Sequence, residues 1–372
     1  MEIKRLTPIV KVTQDCNLGC VYCYTHPDAD RQTKMNYETL ENIIVKVAEH
    51  NKEFNRTRII WHGGEPLLVG LDFYKKAIEI QNKIDNHRFR NEMQTNGTLL
   101  SNEFLDFFEE NQFNIGFSLD GIEETHNINR LYKNGKSSFE KTLRMINEVK
   151  RRKIGGGVIC VLNKITLERI NEIYDFMKSN EIHCQFNVQL PSGRARERLD
   201  LGITPTEYGK AMAGLFDLWF YDSRKPLIDI NPLSDIVYSL GTRRNKRIIP
   251  EFPIECIFRN KCAFYFIAFN PSGDVYPCGR STGDPKLLLG NIKKDSLEKI
   301  FQSEIKQIFL RRSLDGIESC KSCEYYNICN SGCPEFSYAF EADYLKKDPF
   351  CAGYKIMFRH IERAIKKELE VQ

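Results

Sequence analysis

Ile9-Val10-Lys11-Val12-Thr13-Gln14-Asp15-Cys16-Asn17-Leu18-Gly19-Cys20-Val21-Tyr22-Cys23 passes from a β-rich run straight into a loop carrying three cysteines. The run Ile9–Val12 predicts a first strand. Comparable runs follow at Arg58–Trp61, Arg90–Thr95, Asn114–Leu119, Gly157–Leu162 and Cys184–Leu190. Between them lie charged segments with apolar residues at helical spacing, over Asn36–Asn51, Leu71–Ile84, Ser101–Asn111, Ser138–Arg152 and Thr166–Ser179. Strand–helix alternation of this kind predicts an α/β fold built on a parallel sheet, here a TIM-like partial barrel of six units, (β/α)6.

The unusual residues fall after the strands. Gly63-Gly64-Glu65-Pro66 follows the second, Asn96-Gly97 the third, and Ser118-Leu119-Asp120-Gly121 ends the fourth. The fifth runs to Asn163, and the sixth runs into Gln189-Leu190-Pro191-Ser192-Gly193. Parallel α/β sheets place ligand sites at the carboxyl ends of their strands, so these segments together predict an active-site rim.

The bulk numbers exclude several classes. A chain of 372 residues with net charge +4 has no marked basic surplus for a nucleic acid, and aromatics are not interleaved with its basic runs. No apolar run reaches the length of a membrane span, and no apolar stretch marks a secretory signal, so a cytoplasmic protein is expected. In that compartment disulfides do not explain thirteen clustered cysteines. Metal does.

Cys16, Cys20 and Cys23 are spaced C-x3-C-x2-C. Three thiolates on one tight loop can hold three irons of a cubane and leave the fourth open to a small chelating molecule. This motif, with an aromatic before its third cysteine and Gly63-Gly64-Glu65-Pro66 downstream, resembles the radical S-adenosylmethionine superfamily. The resemblance implies that S-adenosylmethionine binds the open iron, with its amine near Gly63, Gly64 and Glu65. By the same resemblance Asn96 joins the cofactor site, Ser118 and Arg130 hold the ribose and carboxylate, and Tyr22 and Leu190 flank the adenine. Reductive cleavage would yield a 5′-deoxyadenosyl radical, with electrons from an external donor of flavodoxin or ferredoxin type.

Eight cysteines lie from Cys256 onward: Cys256, Cys262, Cys278, Cys320, Cys323, Cys329, Cys333 and Cys351. Eight thiolates suit two four-ligand centres, iron–sulfur or zinc. The arrangement resembles the SPASM extension of radical peptide-modifying enzymes, with spacing similar to anaerobic sulfatase-maturating enzymes. That resemblance implies three [4Fe-4S] clusters in all. Cys256, Cys262, Cys278 and Cys333 would bind the first auxiliary cluster, and Cys320, Cys323, Cys329 and Cys351 the second. Cys160 and Cys184 remain, read as small buried hydrophobes. The segment 264–278 turns at Pro271-Ser272-Gly273-Asp274 and predicts a β-hairpin, and a basic helix is expected from Tyr354 onward. The expected division is a radical domain over 1–200, a helical bridge over 201–252, a small SPASM domain of hairpin and helices over 253–351, and a terminal helix over 352–372.

Sulfatase-maturating enzymes carry an aspartate directly after the third cysteine of the first auxiliary cluster, as the base for making formylglycine. Here Gly279 stands there, and glycine takes no proton. Asp120 and Asp274 are the candidate bases left. The departure favours a different reaction of a ribosomally made precursor peptide: a thioether or carbon–carbon crosslink, or a related oxidation. Formylglycine formation in a sulfatase is the alternative, and a non-catalytic iron–sulfur carrier or zinc scaffold the third. With the motif starting at Cys16, no room is expected before it for a leader-binding domain. Arg194, Arg196 and Arg198, with Arg243, Arg244, Lys246 and Arg247, could draw an acidic leader, though a solvated charged surface is the simpler reading.

Overall fold

The computed structural model describes residues 5–25, 33–244, 258 and 262–370. All six expected strands form: β1 (Thr7–Lys11), β2 (Arg56–His62), β3 (Arg88–Thr95), β4 (Asn114–Ser118), β5 (Gly155–Leu162) and β6 (Cys184–Val188). They pair in parallel, each with the next in sequence. Alternate residues turn inward and outward, so Ile59 and Trp61 of β2 are buried under helices while Arg58, Ile60 and His62 face the barrel interior. The helices begin where polar side chains close their first turns. Asn36 accepts from the Thr39 amide, Ser101 accepts from that of Phe104, and Asn163 and Thr166 form a reciprocal capping box. The expected helix Thr166–Ser179 is divided at Arg169 into Lys164–Glu168 and Ile170–Ser179.

The sheet is larger than six strands. Short β7 (Ile230–Asn231) extends it beyond β6. On the other side β8 (Phe266–Phe269) pairs in parallel with β1, aligning Thr7 with Phe266 and Val10 with Phe269. β9 (Asp274–Tyr276) and β10 (Gly290–Asn291) follow antiparallel, giving the ten-stranded order β10-β9-β8-β1-β2-β3-β4-β5-β6-β7. The expected hairpin is therefore no appendage, because it continues the barrel wall. This brings Cys278, just past β9, to the interior beside Ile9.

The bridge supplies helices Pro205–Phe220 and Leu233–Arg244. The first is opened by a Thr204–Glu207 capping box with Pro205 at its start. Terminal helix Cys351–Glu370 packs on it, with Tyr354 edge-on to Tyr208 and the His360 ring 2.7 Å from Asp217. Gly209 and Gly353 face one another there, and a Cβ on either would collide with the opposite backbone. No helix among the described residues is long and apolar enough to cross a membrane.

Candidate active site

The first cysteine loop is fixed by backbone zipped to backbone. Gly64 N donates to Thr13 O at 2.9 Å and Glu65 N to Asp15 O at 2.8 Å. A Cβ on Gly63 would strike the Thr13 carbonyl oxygen, and one on Gly64 that of Asp15, so only glycine allows this approach. From the other side Gly19 N donates to Leu131 O at 2.8 Å and Val21 N to Asn129 O at 3.0 Å. Arg194 clamps the end of the loop, with its N on Cys23 O at 2.8 Å and Nη1 on Cys20 O at 3.0 Å. Arg194 is thus part of the site, whereas Arg198 pairs with Asp200 on the surface. The side chains of the second basic run lie outside the described residues.

Glu65 ties three rim loops together. Its carboxylate accepts from Thr95 Oγ1 at 2.6 Å, Asn96 N at 2.9 Å and Leu67 N at 3.1 Å. Burial pushes its pKa up to about 7, against the pull of those donors. Asn96 in turn donates through Nδ2 to Asn17 Oδ1 at 2.9 Å, inside the cysteine loop. Ser118 accepts from Gln94 at 3.2 Å at the end of β4, and buried Leu190 lies just beyond β6.

Asp120 is committed elsewhere than to base chemistry. It accepts from Arg130 Nη2 at 3.1 Å and from Val161 N at 2.9 Å, and Tyr22 donates its hydroxyl to the same carboxylate. The Arg130 guanidinium also lies over the Tyr22 ring at 5.2 Å. A buried carboxylate with both oxygens held, by a guanidinium, a backbone amide and a phenol, is placed as the anchor of Arg130 and not as a free base. Asp274 is spent on its hairpin, accepting from Ser272 Oγ at 2.7 Å and Asn291 Nδ2 at 2.7 Å, and it does not line the interior cavity. Neither expected base is placed as one.

The later cysteines gather in two groups. Cys262 stands in the electrostatic reach of Cys333 and Cys278, and burial pushes its thiol up to about 12. Cys329 stands in that of Cys351, Cys320 and Cys323, and burial pushes its thiol up too. Cys256 lies outside the described residues. Burial likewise raises the thiols of Cys333 and Cys20, each to about 11. Thiols within electrostatic reach of one another, half-buried or buried, are a donor set that suits an iron–sulfur body supplying the missing positive charge. Cys160 and Cys184, by contrast, lie buried in β5 and β6, 0% and 2% exposed, as fillers of the wall.

Two buried cations that sequence reasoning passed over serve the second region. Lys306 Nζ donates to Ala263 O at 2.6 Å, next to Cys262. Arg312 donates to the carbonyls of Tyr344, Lys346 and Ser331, stitching the Cys329–Cys333 loop to the segment before Cys351. Asp348 completes the stitch, accepting from Cys333 N at 2.7 Å and Tyr354 OH at 3.2 Å. Between the two halves lies a cavity of about 630 Å³. His62, Gln94 and Gln185 line its strand side, and Cys278, Cys333 and Glu335 face them.

Residues 10–177 match the radical SAM superfamily, and residues 256–324 match an iron–sulfur cluster-binding (SPASM) domain. The chain is 30% identical over 361 residues to the cysteine-type anaerobic sulfatase-maturating enzyme of Clostridium perfringens, covering 95% of each. It belongs to the radical SAM enzymes of the anaerobic sulfatase-maturating family. It is also 31% identical to the serine-type enzyme of Bacteroides thetaiotaomicron, over 93% of this chain and 86% of that one. Native anSMEcpe, solved with bound AdoMet and the Kp18Cys peptide, superposes with a TM-score of 0.83 at 27% identity over 99% of both chains. Membership brings S-adenosylmethionine and [4Fe-4S] clusters as cofactors and a protein or peptide as substrate. It also corrects the expectation of a crosslinked precursor peptide: whole-length relatives at 30% identity or more are named sulfatase-maturating enzymes, which favours formylglycine formation despite the missing aspartate at Gly279.

Proposed function

We propose that this enzyme oxidises the side chain of a cysteine or serine in a sulfatase to formylglycine. The cavity carries the reading. It lies between the inner faces of β1–β6 and Cys262, Cys278 and Cys333, so a substrate side chain entering it comes beside the auxiliary cysteines inside the barrel. When bound, S-adenosylmethionine on the first cluster supplies a 5′-deoxyadenosyl radical able to take an unactivated hydrogen atom. This chain's residues hold and shield that chemistry.

Cys16, Cys20 and Cys23 hold the first cluster. Gly63 and Gly64 keep the rim backbone close enough for the cofactor's amine, with Glu65 and Asn96 fixing the neighbouring loop. Ser118, Arg130, Tyr22 and Leu190 border the rest of the cofactor, and Asp120 orients Arg130. Cys262, Cys278 and Cys333 hold the first auxiliary cluster with Cys256, and Cys320, Cys323, Cys329 and Cys351 hold the second. Their grouping by mutual electrostatic reach supports this division. A low-potential protein of flavodoxin or ferredoxin type supplies the electrons from outside. The domain division at about residues 200, 252 and 351 follows the same assignment.

The test is anaerobic incubation of the reconstituted enzyme with S-adenosylmethionine, dithionite and a peptide bearing a sulfatase target cysteine. Fragment-ion mass spectrometry should find sulfur replaced by oxygen with two hydrogens lost at that residue. A peptide left intact while 5′-deoxyadenosine accumulates would overturn the reading.

A further inference from the structure

His62 closes β2 with its side chain on the barrel interior, one residue before the Gly63-Gly64-Glu65 rim. It lines the cavity, facing Cys278 and Cys333. Gly63 meets its Nδ1 with both backbone polar atoms, the amide N at 2.7 Å and the carbonyl O at 3.0 Å. The amide can donate to a bare Nδ1, and the carbonyl can accept from a protonated one. With the proton on Nδ1, Nε2 carries the lone pair, and Nε2 has no hydrogen-bond partner among the described residues. An imidazole oriented through one nitrogen, with the other open to a cavity, is arranged as a general base. Burial, with Lys11 beside it on β1, draws its pKa down to about 4. The ring is therefore neutral at pH 7, yet as basic as an ordinary aspartate carboxylate, whose pKa is about 3.9.

The other acid and base groups of the cavity are engaged. Glu92 pairs with Arg58, and with Arg90 Nε at 2.8 Å. Asp229 and the His183 ring pair at 3.0 Å, before the starts of β7 and β6 and so at the opposite end of the strands from the cysteine loop. Glu335 accepts from Ser281 Oγ at 2.7 Å and from Tyr344 OH at 3.5 Å. Gly279, just past Cys278, has no side chain to offer. A Cβ there would come within 3.2 Å of Ile9 Cγ2, and Ile9 lines the same cavity. Among the described residues, His62 is left as the open base on the strand wall.

We propose that His62 is the catalytic base of the oxidation, its Nε2 taking the proton from the heteroatom of the target side chain. The idea rests on the formylglycine reading and supplies the proton acceptor which that reaction needs. Loss of a hydrogen atom from the target Cβ leaves a carbon radical beside the S–H or O–H. Forming the C=S or C=O double bond then requires the heteroatom to shed one proton and the radical one electron. The proton goes to Nε2. The electron goes to an oxidised iron–sulfur cluster on Cys262, Cys278 and Cys333, which line the cavity with His62. For a cysteine target, water then displaces the sulfur as hydrogen sulfide and leaves the aldehyde. The imidazolium keeps its Nδ1–H on the Gly63 carbonyl, and burial and Lys11 both favour return of the proton to water.

The test reads two products of one turnover on cluster-loaded enzyme, with a peptide whose target cysteine is deuterated at Cβ. His62→Gln matches the ring's polarity without its basicity. It should still pass deuterium to 5′-deoxyadenosine, while formylglycine per 5′-deoxyadenosine falls ~100-fold. Peptide affinity by calorimetry and iron content should hold at wild-type values. Two rescues separate a base from a packing role. His62→Ala should regain formylglycine on added imidazole, and His62→Gln combined with Gly279→Asp should regain it through a carboxylate placed in the same cavity. Undiminished formylglycine in both His62 variants would overturn the proposal. So would a loss that neither rescue reverses, or a loss carried by Glu335→Gln alone. Formylglycine absent from the wild type, with 5′-deoxyadenosine still made, would instead sink the underlying reading and the role of His62 with it.

Discussion

The first cysteine group and the later ones gather sulfur by opposite routes. Cys16, Cys20 and Cys23 lie on one short loop, which needs only a close fit between two stretches of backbone. The later groups draw on Cys262, Cys278, Cys333 and Cys351, far apart in sequence, and buried charges hold those pieces together. Arg312 ties carbonyls from two segments and Asp348 ties a third contact. A loop-built site is damaged by adding an atom, a stitched site by removing a charge.

The largest expected effect separates the two regions by function. Replacing Cys16, Cys20 or Cys23 by Ala should reduce 5′-deoxyadenosine, read by chromatography, to background. Cys320→Ala should leave some cofactor cleavage while peptide oxidation stops. Full peptide turnover by that variant would remove the later cysteines from the electron path.

Next in size is the stitch. Arg312→Met orphans three carbonyls in a buried setting and should cost about 3 kcal/mol, read from the urea midpoint. Iron should be lost from the later clusters while the first keeps its spectroscopic response to S-adenosylmethionine. Gly64→Ala should do the reverse, costing about 2 kcal/mol through the clash with the Asp15 carbonyl and weakening the first cluster alone. The smallest change is a control. Thr204→Ala removes the capping box of the bridging helix, should cost about 1 kcal/mol, and should leave both regions' iron untouched.

Legibility in the sequence followed the same divide. The six strands and the cysteine loop were visible because their signals are local: alternation within a strand, spacing within a loop, glycines at a rim. The joining of β8 to β1 was not, since it pairs residues 7–10 with 266–269 through a strand of four residues. Two-residue β7 carries no pattern at all. Lys306 and Arg312 gave no signal in the sequence, because burial of a cation is decided by what folds over it. Lys11 left one trace, a lone charge on the inward face of an otherwise apolar strand leading into the motif. The bases went astray for a related reason: the sequence places Asp120 on the rim but cannot show that Arg130 and Tyr22 have already claimed it.

The central claim is that a radical made at the first site attacks a side chain lodged between the two cysteine regions. A target cysteine deuterated at its Cβ tests it directly. The account predicts deuterium in the recovered 5′-deoxyadenosine, in step with formylglycine. Formylglycine appearing while the recovered nucleoside stays free of deuterium would contradict it.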